Sequence, residues 1–373
     1  VRILWWAERF WPFVGGIETL GFELIPVLQQ MGHDVEVVTS HSAAALPDQD
    51  RYKSISFHRF PFLTALQQGN LRQIVETRRR LSALKLAFQP DLVHIHFSGP
   101  SPLFHWQTCD EFACPTLVTL HSLPPNQRTE DSLLVKTLAQ ADWISSVSAH
   151  MLGQVRSLVP AIDARSSVIY NGMADADIPS QSQPSSTPIL LCIGRMVAWK
   201  RFDWAIDLFA DICGDYETAQ LVLIGDGVER TRLEEQVERL NLQSRVTFMG
   251  VLSQEEIFDH LRRSILVLLP STAMENIPYV AAESSWMRCP VIASNVSGLP
   301  ELIVDGQTGY LVPPTDKAMW LDRIRRILDD PTHREQLGQE ARGYVRQKLS
   351  LDTCAAQYDA LYHQIQEHHE PVH

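Results

Sequence analysis

What this chain lacks narrows its class before any motif is read. No apolar run reaches the roughly 18 residues that a membrane-spanning helix needs. The opening "VRILWWAERF" is short and interrupted by Glu8 and Arg9, so it reads as a buried strand rather than a signal peptide. The six cysteines (Cys109, Cys114, Cys192, Cys213, Cys289, Cys354) include no C-x-x-C pair and fall mostly in apolar contexts. That usage suits reduced, buried thiols in a cytoplasmic protein better than a disulfide framework or a zinc site. Basic residues are few, 32 Lys+Arg against 44 Asp+Glu for a net charge of −12, and they form no stripe. Nucleic acid is therefore not expected as a partner. Residues 1–170 carry 14 basic against 15 acidic side chains, and the remainder 18 against 29, so only the near-neutral first half would tolerate an anionic surface.

Two nucleotide signatures are also missing. No Walker lysine motif occurs, which argues against a P-loop enzyme. The fingerprint G-x-G-x-x-G fails at "FVGGIETLGFEL", and it fails again at Gly225-Asp226-Gly227, where Arg230 stands in place of the third glycine. A nicotinamide or flavin enzyme is not expected.

What is present is an ordinary globular composition, 45% hydrophobic and 20% charged over 373 residues, a length suited to two domains. In the first half "RILWWA", "VEVVTS", "SISFHRF", "DLVHIHF", "TLVTLH", "WISSVS" and "SVIYNG" read as strands; "GIETLGFELIPVLQQMGH" between the first two has helical spacing. The second half repeats the scheme with "PILLCIG", "QLVLIG", "RVTFMG", "SILVLLP" and "PVIAS". Strands alternating with helices predict α/β domains with doubly wound parallel sheets. The Ser-, Pro- and Gln-rich run "ADADIPSQSQPSSTP" (174–188) reads as a linker between them. The expected division is 1–173, linker 174–187, 188–350, and a C-terminal helix with a polar tail over 351–373. Two such domains facing across a cleft would bind ligands at the carboxyl ends of their strands.

Several segments carry polar groups to those strand ends. Gly15 and Gly16 follow the first strand and open a helix, an arrangement that brings backbone N–H groups to a phosphate or makes a tight turn. In "CIGRMVAWKRFD", Arg195 and Lys200 suit a diphosphate, the first as a bidentate fork and the second as a point charge. His94 and His96 share one face of a strand and could ligate a metal, yet no third ligand stands at a recognisable spacing; a structural pair is the better reading. His121 closes the next strand. Asp175-x-Asp177 resembles a metal-binding D-x-D but follows the turn Asn171-Gly172, which favours a solvated turn.

The pair Glu275 and Glu283 in "STAMENIPYVAAE" suggests an acid and a base acting on a sugar. On one helix they would lie about 12 Å apart along the axis and about 80° apart around it. Retaining glycosidases hold their carboxyls about 5–5.5 Å apart and inverting ones about 6.5–9.5 Å. Pro278 also predicts that a helix starts there, leaving Glu275 in the preceding loop. The pair reads as two grips on an elongated ligand.

Taken in order, "GGIE", "DLVHIH", "TLH", "SVS", "NGM", "GRMVAWK", "GDG", the Glu275–Glu283 segment, "PVIAS" and "SGLPELIVDGQTGYLVPP" resemble the retaining glycosyltransferases of the GT-B fold, the group 1 (family four) type, over nearly the whole chain. The resemblance implies transfer of a hexose from a UDP- or GDP-sugar to a hydroxyl of a saccharide or lipid-linked saccharide, in polysaccharide biosynthesis, with no metal and no cofactor. The implied roles are Gly15 and Gly16 at the donor phosphate and Arg195 and Lys200 on the diphosphate. Glu283 would hold the ribose, Glu275 the transferred sugar with Asn276 and Ile277 beside it, the main chain of Val251 and Leu252 the base, and His121 would sit over the sugar. The family often has Gly-Phe-Gly after the first glutamate, where this chain has Asn276-Ile277-Pro278, and Pro278 has no amide hydrogen to donate. A GT-B epimerase, a phosphorylase and a non-catalytic binding relative are the alternatives.

The acceptor side is less defined. Trp5, Trp6, Phe10, Trp11 and Phe13 could stack on sugars or pack a core. "ETRRRLSALKLAF" (76–88), with Arg78, Arg79, Arg80 and Lys85, could lie peripherally on the inner face of an anionic membrane or be a solvated helix face. The tail "QEHHEPVH" is expected to fray, and oligomeric state is not readable.

Overall fold

The computed structural model describes residues 1–13, 15–41, 46–123, 129, 131–174, 187–273 and 275–368. Asp175 and Asp177, most of the linker, and the last five residues of the tail lie outside them. The chain divides into two compact units, Val1–Ala174 with Leu349–His373, and Asp175–Lys348.

The first unit holds strands β1 (Arg2–Ala7), β2 (Asp34–Ser40), β3 (Gln49–Tyr52), β4 (Ile55–Phe60), β5 (Leu92–Phe97), β6 (Thr116–Leu120), β7 (Trp143–Ser146) and β8 (Ser166–Val168). Their order in the sheet is β3-β4-β2-β1-β5-β6-β7-β8. Every pair is parallel except β3–β4, an edge hairpin that the sequence reading did not include. Polar Gln49, Asp50 and Arg51 hide β3 from a search for apolar runs.

Neighbouring strand residues point to opposite faces, and both faces are covered. Ile3, Trp5 and Ala7 pack with Leu20, Leu24 and Leu28 of the helix Gly16–Gln30. Leu4 and Trp6 pack on the other side with Phe62, Phe104 and Leu138. Trp5, Trp6 and Phe10 are fully buried, so core packing is their role, and Trp11 stacks on Tyr52. The helix Leu351–His368 completes the first face by burying Cys354, Ala355, Tyr358, Leu361, Tyr362 and Ile365 along one stripe. Gly172 admits it, because a Cβ there would stand 2.8 Å from the Cβ of Cys354 and the Cα of Leu351. The tail expected to fray from residue 366 is instead helical through His368.

The basic stretch also differs from its sequence pattern. Lys85 is fully buried and donates to Thr108 Oγ1 at 2.8 Å, with His105 Nδ1 at 3.1 Å, and burial pushes its pKa down. Arg79 pairs with Glu76, Arg80 with Asp48, and Arg78 donates to the carbonyl of Gln107. Periodicity marked all four cations as one surface group, but one of them faces inward.

The second unit holds β9 (Ile189–Ile193), β10 (Gln220–Ile224), β11 (Val246–Gly250), β12 (Leu266–Leu269), β13 (Val291–Ser294) and the short β14 (Tyr310–Val312). The six strands are all parallel, in the order β11-β10-β9-β12-β13-β14. From β9 the chain winds outward through β10 and β11, then crosses back to lay β12 on the other side of β9. The connections after β9 and β12 therefore leave the sheet in opposite directions, which opens a crevice at the carboxyl ends of these two strands.

Tyr358→Ala should lower the stability of the first unit by about 3–5 kcal/mol, the usual loss for a large buried aromatic. Urea denaturation checks this, and a loss below 1 kcal/mol would mean that the C-terminal helix does not complete the core.

Candidate active site

The carboxyl edge of the second sheet is held by backbone hydrogen bonds between its loops. Gly194 N donates to Ile224 O at 2.9 Å, Met196 N to Asp226 O at 2.8 Å, Gly225 N to Gly250 O at 2.7 Å and Glu229 N to Met196 O at 3.0 Å. Such close approach excludes side chains. A Cβ on Gly225 (φ +125°) would lie 1.9 Å from Gly194 O, and one on Gly227 2.4 Å from Met196 O. Gly225-Asp226-Gly227, which fails as a dinucleotide fingerprint, thus serves to seat the loop that carries Arg195 and Lys200.

At the crossover, Lys200 after β9 meets Glu275 after β12. Lys200 Nζ donates to Glu275 Oε1 at 2.5 Å, and Ser271 Oγ donates to the same oxygen at 2.6 Å. The two side chains are 15% and 5% exposed, so the pair is held in surroundings where removing either partner strands the other charge. The ring of Trp199 lies 4.7 Å from Lys200 Nζ, and its carbonyl accepts from Thr272 N at 2.9 Å. Gly298 N donates to Glu275 O at 2.7 Å; a Cβ there would lie 1.5 Å from Asn276 O. Arg195 is exposed, and Asn276 and Ile277 are half-buried.

Pro278 caps the helix Tyr279–Trp286 without a side-chain hydrogen bond, so Glu275 lies in the loop before it, as the proline indicated. Glu283 is buried inside that helix, and Gln254 Nε2 donates to its Oε1 at 3.3 Å. Burial raises its pKa above the ordinary carboxylate value, partly offset by the Gln254 hydrogen bond. Gln254 starts the helix Gln254–Arg263, whose Ser253–Glu256 capping box fixes the chain next to exposed Val251 and half-buried Leu252. The structure therefore gathers Lys200 and Glu275 into direct contact and holds Glu283 on a neighbouring helix. Ser271, Gln254, Trp199 and Gly298 were missed by sequence reading. Only the motif "SGLPE" hinted at one of them, and polar residues such as Ser271 and Gln254 have no spacing signal.

In the first unit, Gly15 caps the helix Gly16–Gln30 in extended conformation, and the Glu18 carboxylate occupies the space a Cβ at position 15 would need. His121 follows β6 directly and is half-buried, with its pKa pushed down to about 4 by desolvation. Its Nε2 lies 2.9 Å from His96 Nδ1. His94 is satisfied on both nitrogens, by Tyr362 Oη at 2.8 Å and Thr119 Oγ1 at 2.7 Å. Among the described residues no group of three or more His, Cys, Asp or Glu is placed to hold a metal ion. No helix among them is long and apolar enough to cross a membrane.

Known proteins resemble this chain in sequence and in fold. Residues 174–344 match the glycosyl transferases group 1 family and residues 14–176 match glycosyltransferase family 4. The α-D-kanosaminyltransferase of Streptomyces kanamyceticus is 35% identical over 178 residues, 48% of this chain and 46% of that protein, so that match spans about half of each. The N-acetyl-α-D-glucosaminyl L-malate synthase of Bacillus anthracis is 25% identical over 95% of both chains. The fold is similar to that of HepE from Anabaena in complex with UDP, with a TM-score of 0.77 at 19% identity over 98% of this chain and 100% of the other. The two parallel, Rossmann-like sheets define a GT-B protein. With the two family matches together spanning residues 14–344, the chain belongs to the group 1 glycosyltransferases.

Gly298→Ala should push the Glu275–Asn276 backbone away and cost about 1–3 kcal/mol, typical of overpacking. Hydrogen exchange measured by mass spectrometry should rise across residues 271–278; unchanged protection there would show that the contact is dispensable.

Proposed function

We propose that this glycosyltransferase moves a hexose from a nucleotide diphosphate sugar to a hydroxyl of a saccharide or lipid-linked saccharide, with the anomeric configuration retained and without a divalent metal. The observation that carries this reading is the Lys200–Glu275 pair at the crossover of the second sheet, with Glu283 buried nearby on the helix that follows. Lys200 and Arg195 would neutralise the diphosphate as it leaves, the place where a metal acts in other sugar transferases. Preorganised charge of this kind is usually the largest catalytic term. Glu275, positioned by Ser271 and Gly298, would take hydroxyls of the hexose, with the chain at Asn276 and Ile277 beside them. Glu283 would accept from the ribose hydroxyls, with the base near Val251 and Leu252. The resemblance also implies contacts with a phosphate and a sugar for Gly15, Gly16 and His121 of the first unit.

In the reaction the bond from the anomeric carbon to the β-phosphate oxygen breaks and the acceptor oxygen bonds to that carbon on the same face. The acceptor proton passes to the departing phosphate. A glycosidase needs both carboxylates disposed about one bond, whereas here Glu275 Oε1 is already engaged by Lys200 and Ser271. HepE, of similar fold, holds UDP, which supports a nucleotide donor. Peripheral membrane docking through residues 76–88 would rest on three arginines, since Lys85 is buried.

A panel of UDP-, GDP- and ADP-sugars, scored by thermal stabilisation and by slow hydrolysis without acceptor, identifies the donor; no stabilisation by any of them would overturn the reading. With the best donor, Lys200→Ala should lose at least about a hundredfold in turnover, the scale of removing one transition-state contact. A folded variant at near-normal rate would remove Lys200 from the mechanism. The raised pKa of Glu283 sets a pH dependence. The carboxylate that accepts from ribose is lost as pH falls through a value above the ordinary 4.5. Nucleoside diphosphate affinity measured by calorimetry should therefore decline on acidification, more steeply in the wild type than in Glu283→Gln. Parallel pH profiles for the two would show that Glu283 does not bind the ribose in its ionised form.

A further inference from the structure

The turn that carries Gly298 holds a backbone conformation that its sequence does not favour. Leu299 N donates to Val296 O at 3.2 Å, which closes a turn with Ser297 and Gly298 at its centre. Ser297 has φ +52° and Gly298 has φ −86°. Positive then negative φ is the sign pattern of a type II′ turn, whose first central position is dominated by glycine. Here the order is inverted. Glycine stands second, where the backbone does not need it, and serine stands first, where a Cβ is strained. Contact explains the second position, since the Asn276 carbonyl leaves no room for a side chain at Gly298. It does not explain the first.

The other non-glycine residues with positive φ have ordinary reasons for it. Gln89, Arg201, Asn241 and Arg288 each follow a helical segment, where a left-handed residue is a common ending, and Lys53 turns the hairpin between β3 and β4. Ser297 ends no helix and joins no hairpin; it lies between β13 and the short 3-10 helix Leu299–Glu301. It is half-buried, and its hydroxyl has no hydrogen bond with any described residue. Serine thus brings this turn neither backbone relief nor a side-chain bond. Strain of that kind collects at functional positions.

The surroundings indicate which function. Gly298 N donates to Glu275 O at 2.7 Å, and the Cβ it lacks would clash with Asn276 O. Ser297 is therefore one residue from the contact with the Glu275–Asn276 peptide, and all of these groups belong to the second unit. Within the same stretch Pro278 has no N–H to offer a ligand, whereas a serine hydroxyl both donates and accepts.

We propose that Ser297 is a specificity-determining residue whose hydroxyl hydrogen-bonds a hydroxyl of the transferred hexose, beside those held by Glu275. The assignment rests on the reading that Glu275 takes the sugar of a nucleotide diphosphate hexose.

Donor hydrolysis without acceptor, measured on the full chain, tests this. Ser297→Ala removes the hydroxyl and keeps the strain; Ser297→Gly removes both. Each should lose at least about tenfold in kcat/KM for the preferred nucleotide sugar, with nucleoside diphosphate affinity by calorimetry unchanged. With donors that lack one hexose hydroxyl in turn, the gap between wild type and variants should close for one of them, which identifies the partner hydroxyl. The urea midpoint of Ser297→Gly should match or exceed that of wild type, because the strain is relieved. Wild-type rates in both variants, or a gap that no deoxy donor closes, would overturn the proposal. Weakened nucleoside diphosphate binding or a lower urea midpoint in Ser297→Gly would show that the serine serves the fold, and would overturn it too. If the wild type hydrolyses no nucleotide sugar, the reading of the site itself fails and takes this assignment with it.

Discussion

The contact of Lys200 with Glu275 depends on where a parallel sheet reverses its winding, and most of the second unit can be understood from that constraint. A cation and a carboxylate 75 residues apart meet because β9 and β12 are neighbours whose following loops diverge. The side chains alone would not hold that geometry. The loops after β9, β10 and β11 are joined backbone to backbone, and the loop after β13 reaches Glu275 through Gly298. Each junction is close enough that a methyl group would break it, which is why glycine recurs at positions 225, 227 and 298. The ion pair is thus a product of main-chain packing. The pair holds the Lys200 cation oriented and mostly removed from water.

The first unit meets a different physical demand with similar means. Its central strands are covered on both sides, and the polar groups they bury must find partners. Trp6 Nε1 donates to Ser101 Oγ; His94 bridges Tyr362 and Thr119; His96 reaches His121. The C-terminal helix is part of this arrangement, since it supplies Tyr358 and Tyr362 to the same face that carries the histidines. A helix distant in sequence therefore supports the residue row leading to His121, through packing and the hydrogen bonds of Tyr362 with His94 and of Tyr358 with Thr119.

The α/β alternation was legible because strands buried on both faces leave uninterrupted apolar runs, and β1, β9 and β12 have them. The edge strand β3 was not, because an exposed hairpin strand keeps polar residues and leaves no such run. Pro278 announced the start of its helix, since a residue without an amide hydrogen suits the position where none is needed. Lys85 misled, because helical periodicity counts charges without knowing which of them a neighbouring helix will cover. Ser271, Gln254 and Trp199 carried no signal at all; a hydroxyl or an amide acquires meaning only from the group it meets.

What the sequence determined by itself was the type of chemistry at hand. Arg195, Lys200, Glu275, Glu283 and His121, each at or near the end of a predicted strand or the start of a helix, could be listed from local pattern, because strand ends and helix starts are local features. Tertiary structure alone decided which of these groups touch. It engaged Glu275 with Lys200 and Ser271, buried Glu283 against Gln254 and faced His96 toward His121. Those choices arise from strand order and register, and both are set by contacts between segments far apart in the chain. No local pattern can record them.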